Sequence, residues 1–168
     1  MLYRNVIESL NLGGVKYLIV GGVAVNLQGF IRATMDLDLM ISLDEGNVRK
    51  FIEAVREGGY RPRAPVSLDD FGDPAKRREW IEGKNMRVFS VYNPCEEYEQ
   101  VDVLLTPVID FSAAYERRQM VRVGDLEFGI ASIDDLISLK QATGRERDGM
   151  DIRALQRIKE LKHGQGSE

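Results

Sequence analysis

The stretch Asp36-Leu37-Asp38-Leu39-Met40-Ile41 constrains this chain more than any other. Side chains on an extended strand alternate between its faces, so Leu37, Leu39 and Ile41 share one side while Asp36 and Asp38 share the other. The apolar side requires a core, and the acidic side requires an open edge. At ~3.3 Å per residue the two aspartates stand ~6.6 Å apart, close enough for their charges to repel. A divalent cation between them relieves that repulsion, and hard oxygen ligands suit Mg²⁺. An ordinary half-exposed strand with a solvated first residue would show the same pattern.

A second acidic strand is expected from Tyr98 to Leu105, where Asp102 stands among Val101, Val103 and Leu104. Three acids on two strands of one sheet could hold two metal ions ~3.5–4 Å apart, the spacing used in in-line phosphoryl transfer. Upstream, Tyr17-Leu18-Ile19-Val20 is continuously apolar and reads as the core of a buried strand. Gly21-Gly22 follows it and opens a short helix to Gln28. Main-chain N–H groups at such a helix start favour an anion, and glycines let a phosphate approach closely.

The remaining elements alternate between helix and strand. Helical spacing of Leu2, Val6, Ile7 and Leu10 predicts a first helix stopped by Gly13-Gly14. Asp44 can cap a helix whose inner face is Val48, Phe51, Ile52 and Val55, closed by Gly58-Gly59. Residues 62–75 carry no clear period, and Pro74 opens a helix to about Glu82. A strand over Met86–Tyr92 and a helix over Asp110–Arg117 follow. Gly124-Asp125 then joins two strands as a hairpin. Ser132 with Asp135 resembles a capping box before Leu136, and a last helix runs from Asp148 to Leu161 with Ile152, Leu155 and Ile158 inward. A hairpin combined with crossover connections implies an α+β fold with a mixed sheet flanked by helices. One domain over residues 1–163 with a frayed tail at 164–168 fits the length of 168 residues.

Composition narrows the function classes. No apolar run approaches the ~20 residues that span a bilayer, and the N-terminus lacks a secretory pattern. One cysteine, Cys95, leaves no internal disulfide and suits a reducing cytoplasm; with His163 the sole histidine, neither a zinc cage nor a Cys–His nucleophile is expected. The net charge of −4 advertises no polyanion surface. Basic runs at Lys76–Arg87 and Lys140–Lys162 read as solvated helix faces ahead of a specific binding patch. Trp80, among Lys76, Arg77 and Arg78, could stack a base but more commonly belongs to the core.

Taken together, Gly21-Gly22, a short helix and Arg32-x-Thr34-x-Asp36-Leu37-Asp38 resemble the signature of the DNA polymerase beta-like nucleotidyltransferases. The similarity is strongest to a small bacterial branch related to abortive-infection toxins and minimal nucleotidyltransferases. Asp102 matches the third acid of that pattern. The segment Ala131–Lys140 and Gly144-Arg145-x-x-Asp148-x-x-Asp151-Ile152 also resembles these small members, so the likeness runs from about Tyr17 to Leu155. Gln28-Gly29 departs from it, since relatives often carry His before that Gly.

The resemblance implies a polymerase beta-like fold and transfer of a nucleoside monophosphate from a nucleoside triphosphate to an acceptor hydroxyl on RNA, protein or a small molecule. Asp36, Asp38 and Asp102 would be catalytic and hold Mg²⁺, with Mn²⁺ as a substitute. Gly21, Gly22, Arg32, Thr34, Lys140 and Arg145 would bind the nucleotide. For each the plain alternative stays open: Arg32 a surface arginine, Thr34 a turn former, Lys140 a helix C-terminal cation, and Asp148 and Asp151 an ion-paired helix start rather than a metal site. Two further expectations are a non-catalytic binding module of the same fold and one member of a toxin–antitoxin pair with a cognate partner.

Overall fold

The computed structural model describes residues 3–96, 99–146 and 148–164, apart from the side chain of His163. The expected places of Leu2 in the first helix and Tyr98 in a strand, and the tail beyond Gly164, lie outside them.

Helix α1 (Arg4–Leu12) buries Val6, Ile7 and Leu10 and ends at Gly13. Strand β1 (Tyr17–Ile19) is wholly buried and passes directly into helix α2 (Gly21–Gln28). Strand β2 (Asp36–Ile41) alternates in its first residues as expected, with Leu37 and Leu39 buried between the half-buried Asp36 and Asp38. The Asp44 carboxylate caps α3 (Glu45–Glu57), accepting from the Asn47 N–H at 2.9 Å. The unpatterned stretch after α3 holds a two-residue strand β3 (Arg61–Pro62) and a short helix α4 (Leu68–Gly72), opened by a Ser67/Asp70 capping box. Helix α5 (Pro74–Lys84) has Pro74 in its first turn, as expected.

Strands β4 (Val88–Tyr92) and β5 (Gln100–Leu104) follow. After them come helix α6 (Phe111–Glu116), the hairpin strands β6 (Gln119–Val123) and β7 (Leu126–Ile130), and helices α7 (Ile133–Thr143) and α8 (Asp148–Gly164). Gly124 turns the hairpin at φ 65°. Gly164 belongs to α8, so the helix runs past the expected tail boundary.

The seven strands form one mixed sheet in the order β3-β4-β5-β2-β1-β7-β6. β2 runs antiparallel to β1 and parallel to β5, and β1 runs parallel to β7. This is the α+β arrangement with a mixed sheet. Phe71 stacks on Phe89 and Phe89 on Trp80, which places Trp80 in the core, where base stacking is ruled out. Arg77 from the basic run is buried too, its guanidinium donating to the Phe71 carbonyl at 2.5 Å. None of the described helices is long and apolar enough to cross a membrane.

Candidate active site

The parallel pairing of β2 with β5 sets Asp36 opposite Gln100 and Asp38 opposite Asp102. Paired residues on neighbouring strands point to the same face, so the three aspartates share one side of the sheet. Leu37, Val101 and Val103 fill the other side and are completely buried. The apolar alternation therefore fixes where the acids point, since a one-residue slip would drive them into the core.

The consequence is electrostatic. Burial, followed by the charges of Asp102 and Asp36, pushes the Asp38 carboxyl up to about 6, against smaller downward pulls from the Gly22 N–H and Lys140. For Asp38 the neighbouring acids and burial thus outweigh the pull of the Gly22 N–H and Lys140. A hard divalent cation fits such a donor set, because Mg²⁺ is held by one or two carboxylates together with substrate phosphates rather than by an all-protein cage. Among the described residues, however, no group of three or more acidic, histidine or cysteine side chains is placed to hold a metal ion by itself.

The Gly21-Gly22 turn lies against these acids. Gly21 adopts φ 62°, and a Cβ there would fall 1.8 Å from the Asp38 carboxylate. At Gly22 a Cβ would fall 2.4 Å from Thr34 Oγ1 and 3.1 Å from Arg32 Nη2. Both positions therefore require glycine for space. The Gly22 N–H, read from sequence as available to an anion, here serves Asp38, which stands at the positive end of α2.

Arg32 is gripped from two directions. Asn26 on α2 clamps its main chain, with Nδ2 donating to the Arg32 carbonyl at 2.9 Å and Oδ1 accepting from the Arg32 N–H at 3.0 Å. Asp151 on α8 accepts from Arg32 Nε at 2.7 Å and from Nη2 at 2.8 Å. Lys140, at the end of α7, is buried and lies 2.6 Å from Asp151 and 3.1 Å from Asp148. Thr143 donates to the second oxygen of Asp148. Burial raises the carboxyls of Asp148 and Asp151, and their hydrogen bonds more than reverse this, so both fall below the usual carboxylate value. Asp148 and Asp151 are thus the ion-paired helix start that the spacing allowed. Arg145 is exposed beyond α7.

Gln28, where relatives often carry His, is buried: its Nε2 donates to the Ala131 carbonyl at 3.2 Å and its Oε1 accepts from Lys162 at 3.0 Å. It ties α2 to α8. On the other flank, Tyr3 donates its hydroxyl to the carbonyl of Met35, next to Asp36, and its N–H to the buried Glu99 at 3.2 Å. Glu99 also accepts from the Tyr60 hydroxyl at 2.6 Å. Asn26, Tyr3 and Glu99 carry no motif, and only the fold brings them to the site. Cys95 is exposed, in the turn that follows β4.

A mixed sheet with an Asp-x-Asp strand, a third Asp in register beside it and a glycine turn against the acids defines the nucleotidyltransferase class. The chain belongs to the family described as "Nucleotidyltransferase of unknown function (DUF6036)", whose profile matches residues 5–164. Among solved structures, it is similar to the lincosamide antibiotic adenylyltransferase LnuA in its lincomycin-bound form, with a TM-score of 0.57 and 18% identity over 91% of this chain and 93% of that one. It is also similar to an antigenic nucleotidyltransferase-like protein from Paracoccidioides brasiliensis, with a TM-score of 0.52 and 16% identity over 92% of this chain and 72% of that one. These likenesses establish the nucleotidyltransferase fold. No curated protein matches the chain.

Proposed function

We propose that the chain transfers a nucleoside monophosphate from a nucleoside triphosphate to an acceptor hydroxyl, releasing pyrophosphate. The observation that carries this reading is the register of Asp38 with Asp102, which gathers three acids beside the Gly21-Gly22 turn. Asp36, Asp38 and Asp102 would hold Mg²⁺, or Mn²⁺ in its place. When bound, the ion would supply positive charge to the phosphates as negative charge builds during transfer.

The chain's own residues then have separable tasks. The acceptor oxygen forms a bond to the α-phosphorus as the bond from that phosphorus to the pyrophosphate oxygen breaks. Asp102, oriented by Gln100 Nε2 at 3.0 Å, takes the acceptor's proton. Gly21, Gly22 and Thr34 form the surface on which the phosphates rest, while Arg32, Lys140 and Arg145 supply positive charge near the leaving pyrophosphate.

Calorimetric titration of the four Mg·NTPs against the wild type and Asp38→Asn tests the reading. Binding by the wild type that is lost in the variant supports it, and no binding by the wild type ends it. The acceptor class, whether RNA 3′ end, protein or small molecule, is read by incubating lysate with labelled nucleotides and fractionating the labelled products. The small-molecule arm gains support from LnuA, an adenylyltransferase whose structure holds lincomycin. The toxin–antitoxin reading predicts a cognate partner, which co-purification would reveal. Cytoplasmic residence accords with an exposed, unpaired Cys95.

A further inference from the structure

We infer that Asp151 is a positioning residue for the nucleotide: it sets the plane of the Arg32 guanidinium so that one edge stays presented to a phosphate at the Gly21-Gly22 turn. The inference rests on the proposed nucleotidyl transfer and adds to it a residue outside the acid cluster.

The donor arithmetic of Arg32 carries the case. A guanidinium has five N–H donors in a fixed plane. Asp151 takes one from Nε at 2.7 Å and one from Nη2 at 2.8 Å, which occupies the side-on edge of the fork. The Ala33 carbonyl takes one from Nη1 at 3.0 Å. Among the described contacts one N–H on Nη1 and one on Nη2 remain, and Asp151, by holding the side-on edge, leaves the end-on edge of the fork turned away from itself. That edge adjoins the turn, because Nη2 stands 3.1 Å from the point where a Gly22 Cβ would lie. A planar pair of parallel N–H groups is the geometry that grips two oxygens of a phosphate.

Burial separates the two partners' roles. The Asp151 side chain is 2% exposed and that of Arg32 is 32% exposed, so the carboxylate is sealed away from ligand while the guanidinium keeps an open side. Asp151 also accepts from Lys140 at 2.6 Å, so a single buried carboxylate orients both cations on this flank. The main-chain clamp from Asn26 fixes where Arg32 starts, and Asp151 fixes where its fork ends. An Arg32 without that second hold would have a free rotor where the phosphate must land.

The test is steady-state pyrophosphate release by the intact chain, with Mg·ATP, Mg·CTP, Mg·GTP and Mg·UTP in turn, alongside thermal melts. Asp151→Asn is expected to raise KM for the preferred nucleotide on the order of 10–100-fold, as loss of an orienting partner does, with kcat changed by less than about threefold. Arg32→Gln should raise KM at least as much and lower kcat as well, because it removes the charge itself. The double variant should fall well short of the two single effects multiplied together, since Asp151 acts largely through Arg32. If Asp151→Asn fails to fold, Arg32→Lys decides: a lysine keeps the charge but lacks the fork, so its KM should approach that of Arg32→Gln. Wild-type KM in Arg32→Lys or in a folded Asp151→Asn overturns the inference while leaving the transferase reading intact, as does an equal loss of kcat in the Asp variant. A wild type that neither binds nor turns over any of the four nucleotides overturns both.

Discussion

Two clusters of aspartates lie within this fold, and they differ in what surrounds them. At the edge formed by β2 and β5, Asp36, Asp38 and Asp102 face one another, and burial with their mutual repulsion drives Asp38 up to about 6. Where α7 meets α8, Asp148 and Asp151 face Lys140 and Arg32, two cations against two anions, and both carboxyls are held low. The balanced cluster is complete without a ligand and fastens the structure. At the other, burial and the neighbouring acids work against an ionised Asp38, and added positive charge would ease it. Imbalance, rather than the number of acids, distinguishes the place where chemistry is expected from the place that holds it together.

Substitutions separate the two clusters. Asp38→Asn should cut pyrophosphate release on the order of 10³-fold, since several kcal/mol of charge stabilisation disappear. Its melting temperature should hold or rise, because a like-charge contact is relieved; a melt lowered by several degrees would break the comparison. Lys140→Met, at a side chain only 10% exposed, should cost about 3–5 kcal/mol in urea unfolding by stranding buried carboxylates. Adding Asp148→Asn should recover part of that loss. A cost below about 1 kcal/mol would show that the latch is not structural.

Gly21→Ala combines both kinds of effect. A left-handed residue with a Cβ costs roughly 1–2 kcal/mol, and the added atom would also displace the Asp38 carboxylate. Calorimetry should therefore show weaker Mg·NTP binding in a protein that still melts cooperatively.

The smallest effect concerns acid. The folded pKa values of Asp148 and Asp151 lie below their ordinary value of 3.8, so the stability they contribute is full above that value. It is lost as pH falls through the depressed values. Asp148→Asn should accordingly flatten the acid limb of the stability curve from about pH 5 downward, and an unchanged limb would assign acid sensitivity elsewhere.

Much of this was readable from residue order because it depends on local rules. Alternation placed Asp36 and Asp38 together, Gly21-Gly22 announced the turn, and Asp44 and Pro74 marked helix starts that the structure has. Helix α4 escaped notice because five residues are too few for a period, although Ser67 and Asp70 carry its capping pattern. At α7, Ser132 caps as expected, and the Asp135 carboxylate accepts from both the Ser132 hydroxyl and Arg117.

The grip on Arg32 could not have been read in this way. Asn26 and Asp151 are ordinary residues until folding delivers them, and the use of the Gly22 N–H by Asp38 depends on β2 lying beside α2. Asp102 was legible as an acid on a strand, whereas its register with Asp38 was a property of the assembled sheet.

The hydrogen bonds from Arg32 to Asp151 join residues 119 apart in the chain. A ribosome adding residues one by one has made all three acids by position 102, yet Arg32 then has no partner for its fork. The fork therefore stays unfastened until α8 has been made. Premature release upstream of α8 would leave a polypeptide with its acids present and Arg32 unheld by Asp151.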